Sequence, residues 1–427
     1  MHLQALSHGK GSLKLRFLAF SHAGFVSGFG VAAHQLYSRW AAAGHEIHVL
    51  AAHVREEDLR KDANYLPYRL HPVVIKAHTD VFGLGLLGDL ITEVKPHALF
   101  FLYDLPVTAL FTNQIASDKN LRPWLQHTVL YAPLDYVNLP PHWLDPIHLA
   151  RHTLLQSRWG AETIRRESGL ETDWIWLGVD RAVFRSAAPE HPLSAGQMSI
   201  ATKEQAKASF NLSGKFLVIS VSDNHGRKNL ADAIKVFAAF ARGKEDALLY
   251  LHTNPVDNGF DLLAVVSRLG IRPQVMFPSD LGLSGAHELD TSRLAVLYNA
   301  ADVYLSTSSG EGFGLTLAEA LACGLPVVAQ SFSAIPEVVG EGGILTPPER
   351  LRTCPNGADL CLPKLEPMVD ALEHLYRSPE LRLELSQKCV RQARNFDWDK
   401  CAAKLLSRLE KAADFSPLCA ENTGRTI

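Results

Sequence analysis

The sequence predicts an α/β protein built from two domains. Its 427 residues exceed what one hydrophobic core usually supports, since domains typically contain about 100 to 200 residues. Short apolar runs alternate with amphipathic stretches along the chain, and this alternation indicates parallel sheets covered by helices. Prolines, glycines and serines interrupt the alternation between residues 186 and 214, which predicts a linker between the two domains.

The domain boundaries that we predict follow from these patterns. The first α/β domain covers residues 1–185, and the linker covers 186–214. The second α/β domain covers 215–395. Apolar residues at 3-4-3 spacing then predict a C-terminal helix over 396–415, and residues 416–427 form a tail.

The first strand–helix–strand unit has the clearest pattern. The apolar run Leu15–Phe20 is typical of a buried strand, and a helix with one apolar face follows it. We expect Gly44 to end this helix and Ile47–Ala51 to form the next strand. The other predicted strands are Ala98–Tyr103, Thr128–Ala132, Thr153–Gln156, Trp174–Leu177, Phe216–Val221, Leu248–His252, Val275–Phe277 and Val303–Ser306. The proline-rich stretch Pro347–Pro363 is predicted to be a surface loop.

Composition argues against several classes of function. The 42 basic and 45 acidic residues give a net charge of −3, which provides no overall field to attract nucleic acid. None of the six cysteines forms a C-x-x-C pair, so we expect reduced thiols rather than a metal site or disulfides. No segment reaches the roughly 18 apolar residues that a membrane span requires. We therefore expect a cytoplasmic protein, with peripheral membrane contact left open.

The stretch from Ser308 to Ala329 carries most of the functional signal. A predicted strand runs into a loop with three glycines in five positions, and a helix starts near Leu315. Glycines let the backbone approach a ligand closely, and the free amides at a helix N-terminus favour an anion such as a diphosphate. Two carboxylates, Glu311 and Glu319, flank this turn and could bind sugar and ribose hydroxyl groups. The alternative is a structural turn of a doubly wound fold with solvated glutamates.

The run 311–329, EGFGLTLAEALACGLPVVA, resembles the E-x7-E signature of the family 4 glycosyltransferases. The resemblance implies that Glu311 contacts the donor sugar and that Glu319 contacts the ribose. It also implies that the loop and helix start bind the diphosphate region, through Gly312 and the amides of Phe313, Gly314 and Leu315.

This family has the GT-B architecture, in which two Rossmann-like domains face each other across a cleft. The segment Phe396-Asp397-Trp398 resembles the start of the family's C-terminal crossing helix, which packs back on the first domain. The resemblance extends over residues 15–412 and is strongest in the second domain.

A second motif, residues 221–229, also connects a predicted strand to a helix. Its cations Arg227 and Lys228 could neutralise a leaving diphosphate, although a solvated basic pair is the alternative. Family members usually carry an arginine five residues before the lysine, and Asp223 occupies that position here. The motif instead resembles a subgroup with N-x-x-R-K, into which Asn224 fits as a donor-binding residue. We also considered that Arg227 pairs with Asp223.

Three further residues are candidates for the acceptor side of the site. Gly28 and Gly30 lie in the first loop after a strand, where the alternative is a tight turn that needs glycine. In the family that this chain resembles, that loop lies near the acceptor and the donor phosphates. Asp135 follows a predicted strand at a position where the family often places a histidine or aspartate.

The function that these motifs predict is retaining transfer of a hexose-type sugar from a nucleoside-diphosphate sugar, of the UDP or GDP type, to an unidentified acceptor. The resemblance implies no Asp-x-Asp metal motif, so we expect no essential metal or other cofactor. One alternative is a nucleotide-sugar epimerase on the same fold. The other is a nucleotide-sugar-binding protein without catalytic activity.

Overall fold

The chain forms two compact units. The computed structural model describes residues 14–23, 27–54, 66–74, 80–188, 190–195, 198–257, 259–286 and 289–414. The first unit contains residues 1–134, 138–177 and 397–427, and the second contains residues 135–137 and 178–396. The second unit therefore begins at Gly178, inside the range that the sequence placed in the first domain, and it takes in the short segment 135–137.

A parallel sheet of seven strands forms the centre of the first unit, in the order β3-β2-β1-β4-β5-β6-β7. The strands are β1 Arg16–Ser21, β2 Glu46–Val54, β3 Arg69–Val74, β4 Ala98–Phe101, β5 Thr128–Ala132, β6 His152–Leu155 and β7 Asp173–Trp174. Its first helices are α1 Gly28–Ala42, α2 Leu87–Val94, α3 Leu105–Ser117, α4 Asp145–Leu149 and α5 Arg158–Ser168. The predicted glycine terminator is confirmed, since Gly44 follows α1 with a φ of 94°.

A parallel sheet of six strands forms the centre of the second unit, in the order β12-β11-β10-β13-β14-β15. The strands of this unit are β8 Leu193–Ala195, β9 Met198–Ile200, β10 Phe216–Val221, β11 Ala247–His252, β12 Val275–Met276, β13 Val303–Ser306, β14 Val327–Gln330, β15 Gly343–Thr346, β16 Pro348–Thr353 and β17 Asp359–Pro363. Its helices are α6 Lys203–Ser209, α7 Leu230–Phe240, α8 Leu262–Leu269, α9 Thr291–Ala300, α10 Leu315–Ala322, α11 Ile335–Val339, α12 Leu365–Arg377 and α13 Pro379–Ala393.

Both sheets are covered on two faces, as expected for parallel strands. Every residue of β10 is buried, and so is every residue of β4. In the second unit, the apolar faces of α7 and α12 pack against the central strands. Phe237 of α7, Leu249 of β11 and Leu372 of α12 belong to one buried core. The continuous apolar runs of the sequence are therefore strands buried on both sides.

The last helix, α14 Trp398–Ala413, belongs to the first unit. Asp397 caps it by accepting hydrogen bonds from the amides of Asp399 and Lys400. The indole of Trp40 on α1 donates to the carbonyl of Ala402 at 3.0 Å, and the apolar stripe of α14 is buried. None of the helices in the described part of the chain is both long and apolar enough to cross a membrane.

The segment predicted as a linker, 186–214, has regular structure. Strands β8 and β9 form an antiparallel pair, and α6 follows with a capping box between Thr202 and Gln205. Lys207 of α6 forms an ion pair with the buried carboxylate of Asp302 at 2.6 Å. The composition of this segment did not predict these elements, because the two strands are only three residues long and the capping signal is local.

The proline-rich stretch predicted as a surface loop is a β-hairpin. Strands β16 and β17 pair in antiparallel register, and Pro348 faces Pro363 at the end of the ladder. Proline is tolerated there because a strand end does not require its missing N–H group. Gly357 adopts a φ of 85° in the turn. The prediction of a loop from the number of prolines was therefore wrong, because two of the prolines lie where the ladder ends and do not interrupt it.

Candidate functional site

The candidate site lies where the second sheet changes direction. Strands β10 and β13 are paired at its centre, with Val218 opposite Val303, and the chain proceeds outward from them to opposite edges. In doubly wound folds, ligands bind at the carboxyl ends of the two strands beside such a switch point. The loops that follow these strands are residues 222–229 and 307–314, which are the two motifs singled out in the sequence.

Hydrogen bonds join the two loops directly. The amide of Ser309 donates to the carbonyl of Arg227 at 2.7 Å. The side-chain amide of Asn229 donates to Ser309 Oγ at 2.6 Å, and Thr307 Oγ1 donates to the carbonyl of Asn229 at 2.9 Å. Asn229 adopts a φ of 50°, a conformation that asparagine tolerates better than most residues. These bonds fix the relative positions of the side chains on the two loops.

Four charged side chains meet at this point. Lys228 Nζ lies 2.6 Å from one oxygen of Glu311, and Arg227 Nη1 lies 3.3 Å from the other. Arg227 Nε also lies 3.3 Å from a carboxylate oxygen of Asp135, and its Nη1 donates to the carbonyl of Gly310 at 2.8 Å. The structure therefore brings together three predicted catalytic residues with Asp135, and it shows Arg227 paired with Asp135 and Glu311.

The electrostatics of this cluster favour an ionised Glu311. Burial alone would raise the pKa of Glu311, but the charges of Lys228 and Arg227 outweigh it and lower the pKa to about 2. Burial raises the pKa of Asp135, and the charge of Glu311 adds to this effect while Arg227 opposes it. Burial and the neighbouring charge of Arg227 lower the pKa of Lys228. Glu311 is thus the fixed anion that holds two cations in place.

Asp135 reaches the cluster because the segment 135–137 joins the second unit. Val137 and Asp359 exchange two backbone hydrogen bonds of 3.0 and 2.9 Å, which attach the segment to β17. The chain also passes very close to Gly310, where an added Cβ would lie 2.4 Å from the carbonyl oxygen of Asp135. Gly310 is therefore required for this close approach of two backbones.

Two residues that the sequence did not single out support the loop of Glu311. The buried side chain of Gln330 donates to the carbonyls of Ser308 and Cys361 at 2.6 and 2.9 Å. Ser333 Oγ accepts a hydrogen bond from the backbone amide of Glu311 at 2.8 Å. Both lie at or just after the carboxyl end of β14, the neighbour of β13. Their position beside a predicted site strand was the only sequence signal for them.

The first turn of α10 has the form expected of an anion-binding helix start. Gly314 precedes it with a φ of 98°, which favours glycine. Gly312 and Phe313 are buried, and the ring of Phe313 packs edge-on against Phe396 at 5.2 Å. The amides of Phe313, Gly314 and Leu315 have no acceptor among the residues that the structure describes. Their predicted contact with the donor diphosphate stays a prediction.

Glu319 lies one turn further along α10, separate from the charge cluster. Its Oε2 accepts a hydrogen bond from the hydroxyl of Tyr298 at 3.0 Å. Burial raises the pKa of Glu319 to about 7, and the hydrogen bond from Tyr298 opposes this effect. The two glutamates of the motif therefore differ, since Glu311 is ionised by its cationic neighbours while Glu319 changes charge near neutral pH.

Asn224 has an observed structural role. Its side chain is buried, accepts the amide of Phe260 at 3.0 Å and donates to the carbonyl of Phe260 at 2.6 Å. Gly259 packs against it so closely that an added Cβ would lie 2.2 Å from the Asn224 carbonyl oxygen. Asn224 therefore holds the loop after β11, and its predicted contact with the donor stays a prediction.

In the first unit, Gly28 and Gly30 occupy the first turn of α1. Ser27 caps this helix by accepting the amide of Gly30 at 3.0 Å. Sequence reasoning missed His22 and Tyr103, which follow β1 and β4 at the switch point of the first sheet, with ring centroids 5.1 Å apart. His22 directly follows β1, and Tyr103 lies two residues after the end of β4, inside the range that the sequence predicted as a strand.

Possible metal ligands are sparse in the part of the chain that the structure describes. No group of three or more histidine, cysteine, aspartate or glutamate side chains there is arranged to hold a metal ion. Five of the six cysteines lie in the described ranges, and all five are free thiols. The sixth, Cys419, lies outside the described residues.

Part of the second unit is similar in sequence to known glycosyltransferases. Residues 215–354 match the family model described as Glycosyl transferases group 1. The chain is 32% identical over 176 residues to a D-inositol 3-phosphate glycosyltransferase of Rhodococcus erythropolis. The aligned region covers 38% of this chain and 35% of that protein. It is 30% identical over 118 residues to O-antigen chain mannosyltransferase B of Escherichia coli, covering 27% and 26% respectively. The chain thus spans about a third or less of the length of these curated relatives.

Solved structures resemble the whole chain in fold. Sucrose-phosphate synthase from Thermosynechococcus elongatus aligns with a TM-score of 0.71 at 16% identity, covering 95% of this chain and all of that one. Anabaena HepE in complex with UDP and glucose aligns with a TM-score of 0.69 at 14% identity, covering 93% and 100%. These matches and the two parallel sheets confirm the predicted α/β fold with two Rossmann-like domains, of the GT-B type.

Proposed function

We propose that this protein is a retaining glycosyltransferase that moves a hexose-type sugar from a nucleoside-diphosphate sugar to an acceptor. The observation that carries this proposal is Glu311, held between Lys228 and Arg227 at the switch point of the second sheet. The match of residues 215–354 to a glycosyltransferase family model supports it, because that range contains all three residues.

The cluster is suited to stabilise a diphosphate leaving group. As the bond between the sugar C1 and the phosphate oxygen breaks, negative charge grows on the diphosphate. Lys228 and Arg227 contact Glu311, which lies four residues before the start of α10, and the amides of that first turn can supply further donors. Preorganised donors of this kind act most strongly where charge develops in the transition state. Glu311 keeps both cations aligned, and its remaining lone pairs can accept hydrogen bonds from sugar hydroxyl groups.

The proton balance follows from the retaining chemistry. The acceptor oxygen forms a bond to C1 on the face that the diphosphate leaves, and its proton passes to the departing phosphate oxygen. The products are a glycoside and a nucleoside diphosphate. Glu319, one turn along α10, binds the ribose in this proposal, and the base is of the uracil or guanine type. The predicted acceptor contacts of Gly28 and Gly30 remain predictions.

The proposal is tested by measuring nucleoside diphosphate release from UDP, GDP and ADP sugars, with and without a panel of acceptors. Proton NMR of the product reports the anomeric configuration. The variant Glu311→Gln removes the central anion, and Glu341→Gln, an exposed glutamate of the same unit, is the matched control.

We expect release that depends on an acceptor, retention of configuration, and loss of activity in Glu311→Gln but not in Glu341→Gln. Conversion of the sugar to its epimer without acceptor would instead identify an epimerase. Tight nucleotide-sugar binding without turnover, across the panel of acceptors, would identify a binding protein.

A further inference from the structure

A separate cavity lies on the second unit at the far end of α10. Its volume is about 440 Å³, and it is formed by the ends of α10 and α13 together with residues 181–191. Ala322, which lines it, follows Leu315 by seven residues along α10, a distance of about 10 Å at the helical rise. The cavity is therefore distinct from the first turn of α10, where the donor diphosphate is proposed to bind.

The lining of this cavity is cationic. Arg181, Arg185 and Arg394 line it together with His191, and none of the described lining residues is acidic. Arg181 and Arg394 are exposed and Arg185 is partly buried, so three positive charges line one concave space in which an anion would find opposite charge. Guanidinium groups also match the geometry of phosphate oxygens by donating two parallel hydrogen bonds.

Arg185 is held in place by the backbone of the same segment. One guanidinium nitrogen donates to the carbonyl of Pro192 at 2.8 Å, and another donates to the carbonyl of His191. The side-chain amide of Asn299 fixes the backbone of this segment. It accepts a hydrogen bond from the amide of Ala187 and donates one to the carbonyl of Arg185. These partners are neutral, so they orient the arginine without cancelling its charge.

The helix dipole explains the position of one of the three arginines. Arg394 caps the C-terminus of α13, where a positive charge favourably opposes the helix dipole. Arg181 and Arg185 lie outside any helix, so the dipole does not account for them. Phe184 and Ala322, which also line the cavity, are apolar and buried. A lining of arginines and apolar side chains suits a small organic molecule that carries phosphate.

We infer that this cavity is a second anion-binding site, which takes a phosphate-bearing small molecule such as a phosphomonoester or diphosphate. Its ligand is bound by Arg181, Arg185 and Arg394. The inference does not depend on the proposed transferase function, because it rests only on the residues of this cavity.

The test uses inorganic pyrophosphate as the probe and isothermal titration calorimetry on the full chain. The variant Lys228→Ala is the background, because Lys228 is the cation proposed to contact a diphosphate near the first turn of α10. In this background we compare Arg181→Gln, Arg394→Gln and the double variant. Arg391→Gln is the matched control, because it removes an exposed arginine from the last turn of α13 that does not line the cavity.

We expect pyrophosphate to bind the Lys228→Ala chain at one site. Each arginine substitution should weaken that binding about tenfold or more, as expected for a lost charge-assisted contact, and the control should change it by less than about twofold. The inference is overturned if the Lys228→Ala chain binds no pyrophosphate. It is equally overturned if Arg391→Gln weakens binding as much as the other two, since the effect is then that of overall charge. Thermal melts of all variants verify that they are folded.

Discussion

Glu319 is expected to make nucleotide affinity depend on pH. Burial raises its pKa to about 7, so the carboxyl group gains its charge as the pH rises through neutrality. A carboxylate accepts hydrogen bonds from both ribose hydroxyl groups, whereas the protonated acid has lost part of that capacity. We therefore predict that affinity for the nucleoside diphosphate rises between pH 6 and pH 8, and that Glu319→Gln removes this rise.

The magnitude follows from the ionised fraction. With a pKa of about 7, roughly a tenth of the chains carry the carboxylate at pH 6 and roughly nine tenths carry it at pH 8. If only the ionised form binds tightly, the apparent affinity changes about tenfold over this range. Loss of a hydrogen bond to a charged group costs about 1.5–3 kcal/mol, so Glu319→Gln should weaken binding roughly 10- to 150-fold at pH 8.

The assay is calorimetric titration of UDP and GDP into the wild type and Glu319→Gln at pH 6, 7 and 8. Protonation of the nucleotide's own phosphate affects both proteins equally, so the ratio of their affinities isolates Glu319. This ratio should be about tenfold smaller at pH 6 than at pH 8, because the ionised fraction of Glu319 falls by that factor. A ratio that stays constant across the three pH values would refute the assignment of Glu319 to the ribose.

Three further predictions concern neighbouring features. Tyr298→Phe removes the hydrogen bond that lowers the pKa of Glu319, so the midpoint of the affinity change should move to higher pH in the same titration. Gly310→Ala places a Cβ 2.4 Å from the backbone of Asp135 and should destabilise the protein by about 1–3 kcal/mol, measured as a lowered thermal midpoint. Chelation with EDTA should leave turnover unchanged, because Lys228 and the helix amides supply the positive charge; activity restored only by magnesium or manganese would contradict this.

The residues of the charge cluster could be singled out from the sequence because they lie in short local motifs. Glu311 and Lys228 each follow a central strand of one parallel sheet, and parallel strands bring their carboxyl ends to one edge. The loops after β10 and β13 therefore lie next to each other, because these two strands are paired. The 2.6 Å ion pair between the two residues is the atomic detail that the motifs did not contain.

The contacts of Asp135 could not be predicted in the same way. They depend on the bridge between Val137 and Asp359, and thus on a hairpin that the sequence predicted as a loop. The role of Gln330 could not be predicted for a similar reason, because its side chain donates hydrogen bonds to the carbonyls of two distant residues, Ser308 and Cys361. Such contacts are long-range and leave no periodic pattern in the sequence.

The central claim is that Lys228 stabilises the charge of a leaving diphosphate, and the turnover number of Lys228→Ala tests it most directly. The matched control is Lys235→Ala, an exposed lysine on α7 that pairs with Asp232 at 2.8 Å. With the nucleotide sugar that the wild type uses, we predict that kcat falls about 10²- to 10³-fold in Lys228→Ala. Lys235→Ala should leave kcat within about twofold of the wild type, as expected for a solvated surface charge. A folded Lys228→Ala enzyme whose kcat equals that of the control would contradict the claim.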